Sequence, residues 1–144
     1  MISIPQTLLR EIYDHTEASY PHECCGLIVG TRSESGRHAH AFRTCRNLNT
    51  ERAHDRYEMD PLCWVRVEAE FAKSSWDIIG IYHSHPDHPS RPSQTDTDAA
   101  WPDYSYIIVS VRQGTVASAQ SWVLHEAERL FHEEPLVVDQ GDRK

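Results

Sequence analysis

The amino-acid sequence predicts a mixed α/β domain whose largely antiparallel sheet is flanked by helices. Its 144 residues suit one hydrophobic core, so we expect a single domain over residues 1–139 and a flexible C-terminal tail over residues 140–144. Short apolar runs between glycines and turn residues predict strands. Because hairpin-length turns between these runs outnumber helical connections, most neighbouring strands should be antiparallel.

The first helix is predicted from Ile4 to Ser19, where apolar residues recur at helical spacing. Ser3 and Gln6 have the spacing of a capping box at its start, and Pro21 ends it. Strands are expected in a series of apolar or alternating segments, namely residues 23–30, 37–46, 78–83, 104–111, 116–125 and 129–138.

A second helix is predicted from Pro61 to Lys73, with one apolar face that should pack against the sheet. That face consists of Leu62, Val65, Ala69 and Ala72. A short third helix should begin at Ser93, a favourable N-cap, and continue to about Ala100. The tryptophans are expected to supply bulk in the core or at its edge, and they are Trp64, Trp76, Trp101 and Trp122.

The charge balance argues against a nucleic-acid partner. Asp and Glu total 22 and Lys and Arg total 14, which gives a net charge of −8 without a basic block that could attract phosphates. The apolar runs are far too short to cross a bilayer, and the N-terminus carries no secretory signal. We therefore expect a cytoplasmic protein without nucleic-acid or membrane partners.

The cysteines show no C-x-x-C spacing, which argues against a zinc ribbon or a thioredoxin-like motif. In a reducing compartment all of them should be free thiols, namely Cys24, Cys25, Cys45 and Cys63. Strand alternation sets Cys25 on the same side as Glu23, either as a thiol near a metal or as a small buried hydrophobe. The sequence leaves the roles of Cys24 and Cys25 open.

Two histidines at the end of a predicted strand are the strongest indication of chemistry. His83 and His85 are two residues apart, so both imidazoles should point to the same side. Asp96 lies in the first turn of the following helix, and a proline-rich loop can bring its carboxylate back toward them. Two imidazoles and one carboxylate form the three-ligand set of catalytic zinc, which leaves one position for water.

Two further residues could complete a hydrolytic site. Glu23 is charged although it starts an apolar strand, which is unusual unless its carboxylate reaches a site, where it could relay a proton. Ser93 could donate a hydrogen bond to the oxyanion of a tetrahedral intermediate. A solvated acid and a simple N-cap are the corresponding structural interpretations.

Other histidine patterns fit metal chemistry less well. His125-Glu126-Ala127-Glu128-Arg129 imitates the H-E-x-x-H motif of zincins, but Arg129 stands in place of the second histidine. His38 and His40 are followed by no Ser or Asp at the required spacing, so we expect them on an exposed strand face. His88 should be a residue at the rim of the site. A zinc deaminase is disfavoured because the chain has no C-x-x-C.

The sequence resembles the JAMM, or MPN-plus, zinc metalloprotease family. Glu23, then His83-Ser84-His85-Pro86, then Ser93-Gln94-Thr95-Asp96 match the family's distant Glu followed by H-x-H, seven residues, Ser, two residues and Asp. Residues 21–26, 56–61 and 101–106 are similar to its small prokaryotic branch. The resemblance implies an MPN fold with cytidine-deaminase-like architecture. It also implies zinc held by His83, His85 and Asp96, Glu23 as general acid/base, and Ser93 as support for the intermediate.

The same resemblance implies a peptidase or isopeptidase that acts after the C-terminal Gly-Gly of a ubiquitin-like sulfur-carrier protein of the ThiS/MoaD type. The reaction would trim the carrier's tail or release an amino acid built on it. A Gly-Gly tail could lie beside the metal as an added strand at a sheet edge. The alternative is a non-catalytic MPN-type interaction or scaffold module. Neither the carrier, the residues removed nor a homodimeric state follows from the sequence.

Overall fold

The computed structural model describes residues 1–140 and builds them around one sheet. Of the predicted tail, residues 141–144 lie outside the described part of the chain. The helices are α1 (Gln6–Ser19), α2 (Pro61–Phe71) and α3 (Gln94–Ala99). The strands are β1 (Ile2–Pro5), β2 (Cys25–Ser33), β3 (Gly36–Cys45), β4 (Asp77–Pro86), β5 (Ser105–Arg112), β6 (Thr115–His125), β7 (Leu130–Glu134) and β8 (Leu136–Asp139).

The strand order is β7-β6-β5-β4-β2-β3-β1-β8, with β4 near the middle of the sheet. The pairs β2–β3, β2–β4, β5–β6 and β6–β7 are antiparallel, whereas β4–β5, β1–β3 and β1–β8 are parallel. This mixed, mostly antiparallel sheet confirms the predicted fold class. It also places the candidate site on a strand that has neighbours on both sides.

Each face of the sheet buries its own apolar cluster. On one face α1 contributes Leu9 and Ile12, which join Ile28 and Tyr82 from the sheet. On the other face Val67 of α2 joins a cluster that contains Leu27, Val29, Ile81 and Tyr106. The β2–β4 register shifts between Ile28 and Val29, and beyond this bulge side chains alternate along β4, so that Ile81 and Tyr82 serve different clusters. His83 and His85 therefore share the α2 face with Ile81.

The predicted capping box at the first helix is wrong. Ser3 lies in β1, and its hydroxyl is hydrogen-bonded to His38 Nδ1 at 2.8 Å. The helix begins at Gln6 after an N-cap residue, Pro5, that makes no side-chain cap bond. The pairing of β1 with β3 and β8 accounts for the difference, because it holds residues 2–5 in an extended conformation.

The predicted inner face of the second helix is also wrong. Cys63 and Val67 are its buried residues, whereas Leu62 and Val65 are 56% and 59% exposed. Asp60 caps the helix by accepting a hydrogen bond from the Leu62 backbone N–H at 3.0 Å. A disulfide from Cys63 to the end of β3 turns the opposite face of α2 toward the sheet.

That disulfide joins Cys45 to Cys63, so the expectation of four free thiols is wrong for this pair. Cys25 lies opposite Cys45 in the β2–β3 ladder, and both it and Cys24 are free and buried. Burial raises the pKa of the Cys25 thiol to about 12. Both free cysteines sit in apolar clusters, in keeping with the interpretation as small buried hydrophobes.

Three other expectations need adjustment. The strand predicted over 129–138 is two strands, because Pro135 ends β7 and the chain then crosses to pair with β1 as β8. The strand predicted over 78–83 extends to Pro86, so His85 lies within it. Trp101 is 68% exposed and is therefore not core bulk.

Within residues 1–140 the longest helix is neither long nor apolar enough to span a membrane.

Candidate metal centre

Strand register brings a distant glutamate to the two strand histidines. Cys25 pairs with His83 at the end of the antiparallel β2–β4 ladder, and the Ser84 backbone N–H donates to the Cys24 carbonyl oxygen at 3.1 Å, directly after Glu23 in the chain. Residues opposite each other across an antiparallel pair face the same side of the sheet. His83 and His85 share one face, as strand alternation predicts, and the Glu23 carboxyl is close enough to His85 and Asp96 for their charges to act on its pKa.

The N-terminus of α3 supplies the carboxylate. Ser93 is its N-cap, and Ser93 Oγ accepts a hydrogen bond from the Asp96 backbone N–H at 3.1 Å. In return, Asp96 Oδ2 accepts one from the Ser93 backbone N–H at 2.8 Å. This capping box confirms the predicted positions of both residues in the helix, and it fixes the Asp96 side chain in an orientation that reaches β4.

Four donor atoms from three side chains converge on one point. His83 Nε2 lies 3.2 Å from His85 Nε2 and 3.3 Å from Asp96 Oδ1, and His85 Nε2 lies 3.1 Å from Asp96 Oδ2. A tetrahedral metal ion with bonds of about 2.0–2.1 Å holds its ligand atoms about 3.4 Å apart. The three side chains are at least nine-tenths buried and could hold a metal ion.

Hydrogen bonding around the cluster fits a cation at that point. His85 Nδ1 donates to the carbonyl oxygen of Pro89 at 2.8 Å, so Nε2 of the neutral ring carries a lone pair. That lone pair faces Asp96 Oδ2, which can only accept while the carboxylate is ionised. A positive charge between them, either a proton or a metal ion, is needed to stabilise this arrangement. Locking Nδ1 on a backbone carbonyl is typical of metal-binding histidines.

The pKa shifts reflect the same geometry. Burial disfavours the charge of Asp96, but His83 and His85 outweigh it and hold its pKa well below the usual range. Burial also opposes charge on His85, yet its hydrogen bonds to Asp96 and Pro89 raise its pKa. Burial dominates at His83 and lowers its pKa. The pKa values of the two imidazoles are thus shifted in opposite directions.

Glu23 is only 7% exposed. Its backbone N–H donates to the carbonyl oxygen of Ala53, and its own carbonyl accepts from Asn47 Nδ2 at 3.1 Å. Burial raises the pKa of its carboxyl to about 8, although the nearby His85 opposes the shift. The solvated-acid interpretation of Glu23 is therefore wrong. This carboxyl can exchange a proton near neutral pH.

An open cavity of ≈ 750 Å³ lies beside the cluster, with Glu23 and Asp96 in its wall. The rest of its lining is mostly apolar and aromatic, and includes Tyr57, Met59, Trp64, Val65, Trp101, Tyr104 and Tyr106. Val65, which the predicted α2 face assigned to the core, thus lines the cavity. A cavity of this size and polarity is typical of ligand-binding sites.

Sequence reasoning missed the contribution of Tyr57. Its ring stacks on His83, with centroids 4.5 Å apart and planes inclined by 25°. The segment that carries it is tied to the sheet region by a bridge between Asn47 and Met59. The stacking limits rotation of the His83 imidazole. The only sequence signal was its place in residues 56–61, one of the segments that resemble the prokaryotic branch.

Sequence reasoning also missed a second restraint on α3. The guanidinium of Arg129, in the turn between β6 and β7, donates from Nη2 to three backbone carbonyl oxygens at the end of this helix. The acceptors are Thr97 at 3.4 Å, Asp98 at 3.2 Å and Ala100 at 3.3 Å. A six-residue helix is marginal by itself, so these bonds and the Ser93 cap together hold Asp96 in place.

The remaining histidines considered above lie outside the cluster. His38 and His40 are on β3, where His38 contacts Ser3 and His40 stacks on Trp76. His40 is exposed as expected, whereas His38 is partly buried. His88 is exposed in the loop after β4.

Comparison with known proteins points to one family. The model of prokaryotic homologs of the JAB domain matches residues 5–125. Desampylase from Haloferax volcanii is 35% identical over 91 residues, which cover 62% of this chain and 63% of that protein. The aligned part of the chain thus spans just under two thirds of this relative. CysO-cysteine peptidase from Mycobacterium tuberculosis is 28% identical over 113 residues, covering 78% of this chain and 75% of that protein.

Solved structures agree on the architecture. The solution structure of protein DSY2949 from Desulfitobacterium hafniense superposes with a TM-score of 0.84 at 27% identity, covering 97% of this chain and 94% of that one. AF2198, a JAB1/MPN domain protein from Archaeoglobus fulgidus, superposes with a TM-score of 0.60 at 18% identity, covering 94% and 97%. At that identity the second likeness concerns the fold alone.

Proposed function

This chain belongs to the family of prokaryotic homologs of the JAB domain, and from that premise we propose that it is a zinc-dependent peptidase or isopeptidase. Its substrate is a ubiquitin-like sulfur-carrier protein of the ThiS/MoaD type, cut after the C-terminal Gly-Gly. The convergence of two imidazoles and a carboxylate near a buried glutamate carries this proposal. Relatives named desampylase and CysO-cysteine peptidase support it.

In this proposal His83, His85 and Asp96 hold the metal ion. The donor set of two nitrogens and one oxygen, with the spacing described above, suits zinc and leaves a coordination position open. Zinc bound there supplies Lewis acidity to the scissile carbonyl and lowers the pKa of water. The Pro89 carbonyl keeps the His85 ring in the tautomer that presents Nε2.

Glu23 is the proposed general acid/base. Its carboxylate takes a proton from the attacking water and later delivers that proton to the nitrogen of the leaving amine. A carboxyl whose pKa burial has raised to about 8 is a better proton donor at neutral pH than an exposed glutamate. The presence of Glu23 and Asp96 in the wall of the same cavity supports this role.

Ser93 is the proposed oxyanion donor. Its Oγ accepts a hydrogen bond from the Asp96 backbone N–H, which leaves the hydroxyl hydrogen free to donate. In this role the hydroxyl stabilises negative charge on the carbonyl oxygen of the scissile bond as the tetrahedral intermediate forms. The same residue thus caps α3 and assists the reaction.

The substrate tail occupies the ≈ 750 Å³ cavity in this proposal. A tail cannot add to β4 itself, because β4 is paired with β5 on one side and β2 on the other. The tail lies instead between α2 and α3, where the wall combines aromatic rings with Glu23 and Asp96. Glycines near the scissile bond allow the backbone to approach buried donor atoms closely.

The test is mass spectrometry of ubiquitin-like carriers with extended C-termini, incubated with the zinc-loaded protein. We expect a product that ends in Gly-Gly and a released fragment whose mass identifies the bond. Glu23→Gln should produce neither. A protein that retains no zinc and cuts no carrier would favour the alternative of a non-catalytic scaffold module.

The cytoplasmic location is part of the proposal and is tested separately. Alkylation of thiols in intact cells, followed by mass spectrometry, reports whether Cys45 and Cys63 are joined there. A reducing compartment keeps such cysteines as thiols. The mass of the purified protein in solution tests whether the working form is a homodimer, which the sequence leaves open.

A further inference from the structure

A second group of two histidines and a carboxylate lies on the β6–β7 hairpin. His125 Nδ1 is 3.4 Å and His132 Nε2 is 3.2 Å from the same oxygen, Glu128 Oε1. One donor atom from each side chain lies within 4.8 Å of the others. The two measured separations match the spacing of about 3.4 Å between ligands around a tetrahedral zinc ion.

The backbone of the hairpin produces this arrangement. His125 pairs with Leu130 in the β6–β7 ladder, and His132 is two residues further along β7, so both histidines face the same side. Their rings stack with centroids 3.8 Å apart and planes inclined by 10°, so one ring must rotate before the in-plane lone pairs of both rings can reach a single ion. Arg129 adopts a left-handed conformation with φ of 56° in the turn, and the Glu128 carboxylate contacts one nitrogen of each ring.

The arrangement also resolves the incomplete zincin-like motif. His125-Glu126-Ala127-Glu128-Arg129 lacks a second histidine at the required place, but His132 supplies that imidazole from the other strand. The match to the JAB-domain model ends at residue 125, so Glu128 and His132 lie beyond the residues it covers. The cluster shares no residue with the proposed catalytic centre.

We propose that His125, Glu128 and His132 form a peripheral binding site for a divalent transition-metal ion such as Zn²⁺. Imidazole and carboxylate ligands together suit zinc, nickel and copper and disfavour calcium or magnesium. The three side chains are 52%, 55% and 45% exposed, so further coordination positions are open to water or to a donor from another molecule.

Zinc content at controlled free Zn²⁺ tests the proposal. The wild-type protein is dialysed against chelator-buffered Zn²⁺ and analysed by mass spectrometry for metal per chain. We expect wild type to bind about two equivalents and His132→Gln about one, because loss of an imidazole leaves too few ligands. Glu128→Gln should lower the affinity for the second zinc ion by at least about tenfold. All three side chains are exposed, so these variants should fold normally.

Two controls locate the second ion. His54→Gln removes another exposed histidine beside an acid, Asp55, and should leave both equivalents in place. Asp96→Ala should lose the ion at the buried cluster and retain the peripheral one. In NMR spectra, the ring-proton signals of His125 and His132 should shift as the second equivalent binds.

Three results would overturn the proposal. Wild type could stop at about one equivalent at a free Zn²⁺ concentration on the order of 10 µM, well above that which fills structural sites. His132→Gln could bind as much zinc as wild type. Finally, the second equivalent could disappear in His54→Gln, which would place it elsewhere.

Discussion

Two clusters with the same donor set differ in nearly everything around them. The buried cluster of His83, His85 and Asp96 is at least nine-tenths covered, and a backbone carbonyl fixes one of its rings. The exposed cluster on the β6–β7 hairpin has similar spacing, but each side chain is about half exposed. Ligand geometry alone therefore does not distinguish a catalytic centre from a peripheral site. In the proposed function, burial, a locked tautomer and a neighbouring carboxyl set the buried cluster apart.

The largest contrast between the clusters should come from the proton carrier. Glu23→Gln keeps the shape of the side chain but cannot accept a proton, so carrier cleavage should fall by about 10²–10⁴-fold while zinc stays bound. The matched change beside the exposed cluster, Glu126→Gln, should leave cleavage unchanged. Cleavage rate and zinc content are measured on the same preparations. Wild-type-like cleavage by Glu23→Gln would remove this residue from the mechanism.

A second contrast concerns metal affinity. Asp96→Ala removes a buried ligand whose carboxylate also partners both histidines, so the affinity of the buried cluster for zinc should fall by about 100-fold or more. Cleavage should be lost with it. Competition with a chromophoric chelator measures the affinity, and His132→Gln serves as the comparison because it leaves the buried ligands intact. An unchanged affinity in Asp96→Ala would contradict the ligand assignment.

A third contrast concerns the dependence of stability on pH without metal. Burial raises the pKa of Glu23 from 4.5 in the unfolded chain to about 8 in the folded protein. The folded state therefore holds this proton more tightly than the unfolded state does. The contribution of the bound proton to the stability of the fold is complete below pH 4.5 and is lost as the pH rises through 8. Across this pH window the free energy of unfolding of wild type should fall by up to a few kcal/mol relative to that of Glu23→Gln, because one pKa unit corresponds to about 1.4 kcal/mol.

Denaturant unfolding at pH 5 and pH 8, in the presence of a chelator, measures this difference. Glu126→Gln is the control, because that side chain is exposed and its loss should not change the pH dependence. Parallel curves for wild type and Glu23→Gln would mean that the Glu23 carboxyl is better solvated than the structure indicates.

The smallest effect should come from the turn that joins the two regions. Arg129→Gln removes the donors to the carbonyls at the end of α3, so the helix should fray and stability should fall by about 0.5–1.5 kcal/mol. Because α3 carries Asp96, the zinc affinity of the buried cluster should fall several-fold. Arg10→Gln on α1 is the surface control. If zinc affinity matches wild type, the N-cap alone is enough to hold Asp96.

Local rules were sufficient to predict the position of several site residues. Strand alternation places His83 and His85 on one side, and capping chemistry places Ser93 and Asp96 at the start of α3. These patterns depend on neighbours within a few residues of each other. The JAMM resemblance linked Glu23 to them, and the β2–β4 register supplies the physical connection.

Long-range packing set the features that could not be predicted. The pairing of β1 with β8 joins segments more than 130 residues apart, so Ser3 looked like a helix cap although it lies in a strand. The inner face of α2 was misassigned because Leu62 and Val65 are apolar yet more than half exposed, and Val65 lines the cavity. Tyr57 and Arg129 act through contacts with distant elements, which no local pattern encodes.

The bond between Cys45 and Cys63 turns the chain between them into a closed ring. This ring is built on a sequence separation of 18 residues and includes Tyr57 and Met59, which line the cavity. Cross-linking a loop of this size stabilises the fold by about 3 kcal/mol, chiefly by restricting the unfolded chain. It also limits how far the rim of the cavity can swing outward, so the opening should admit a slender tail more readily than a folded domain.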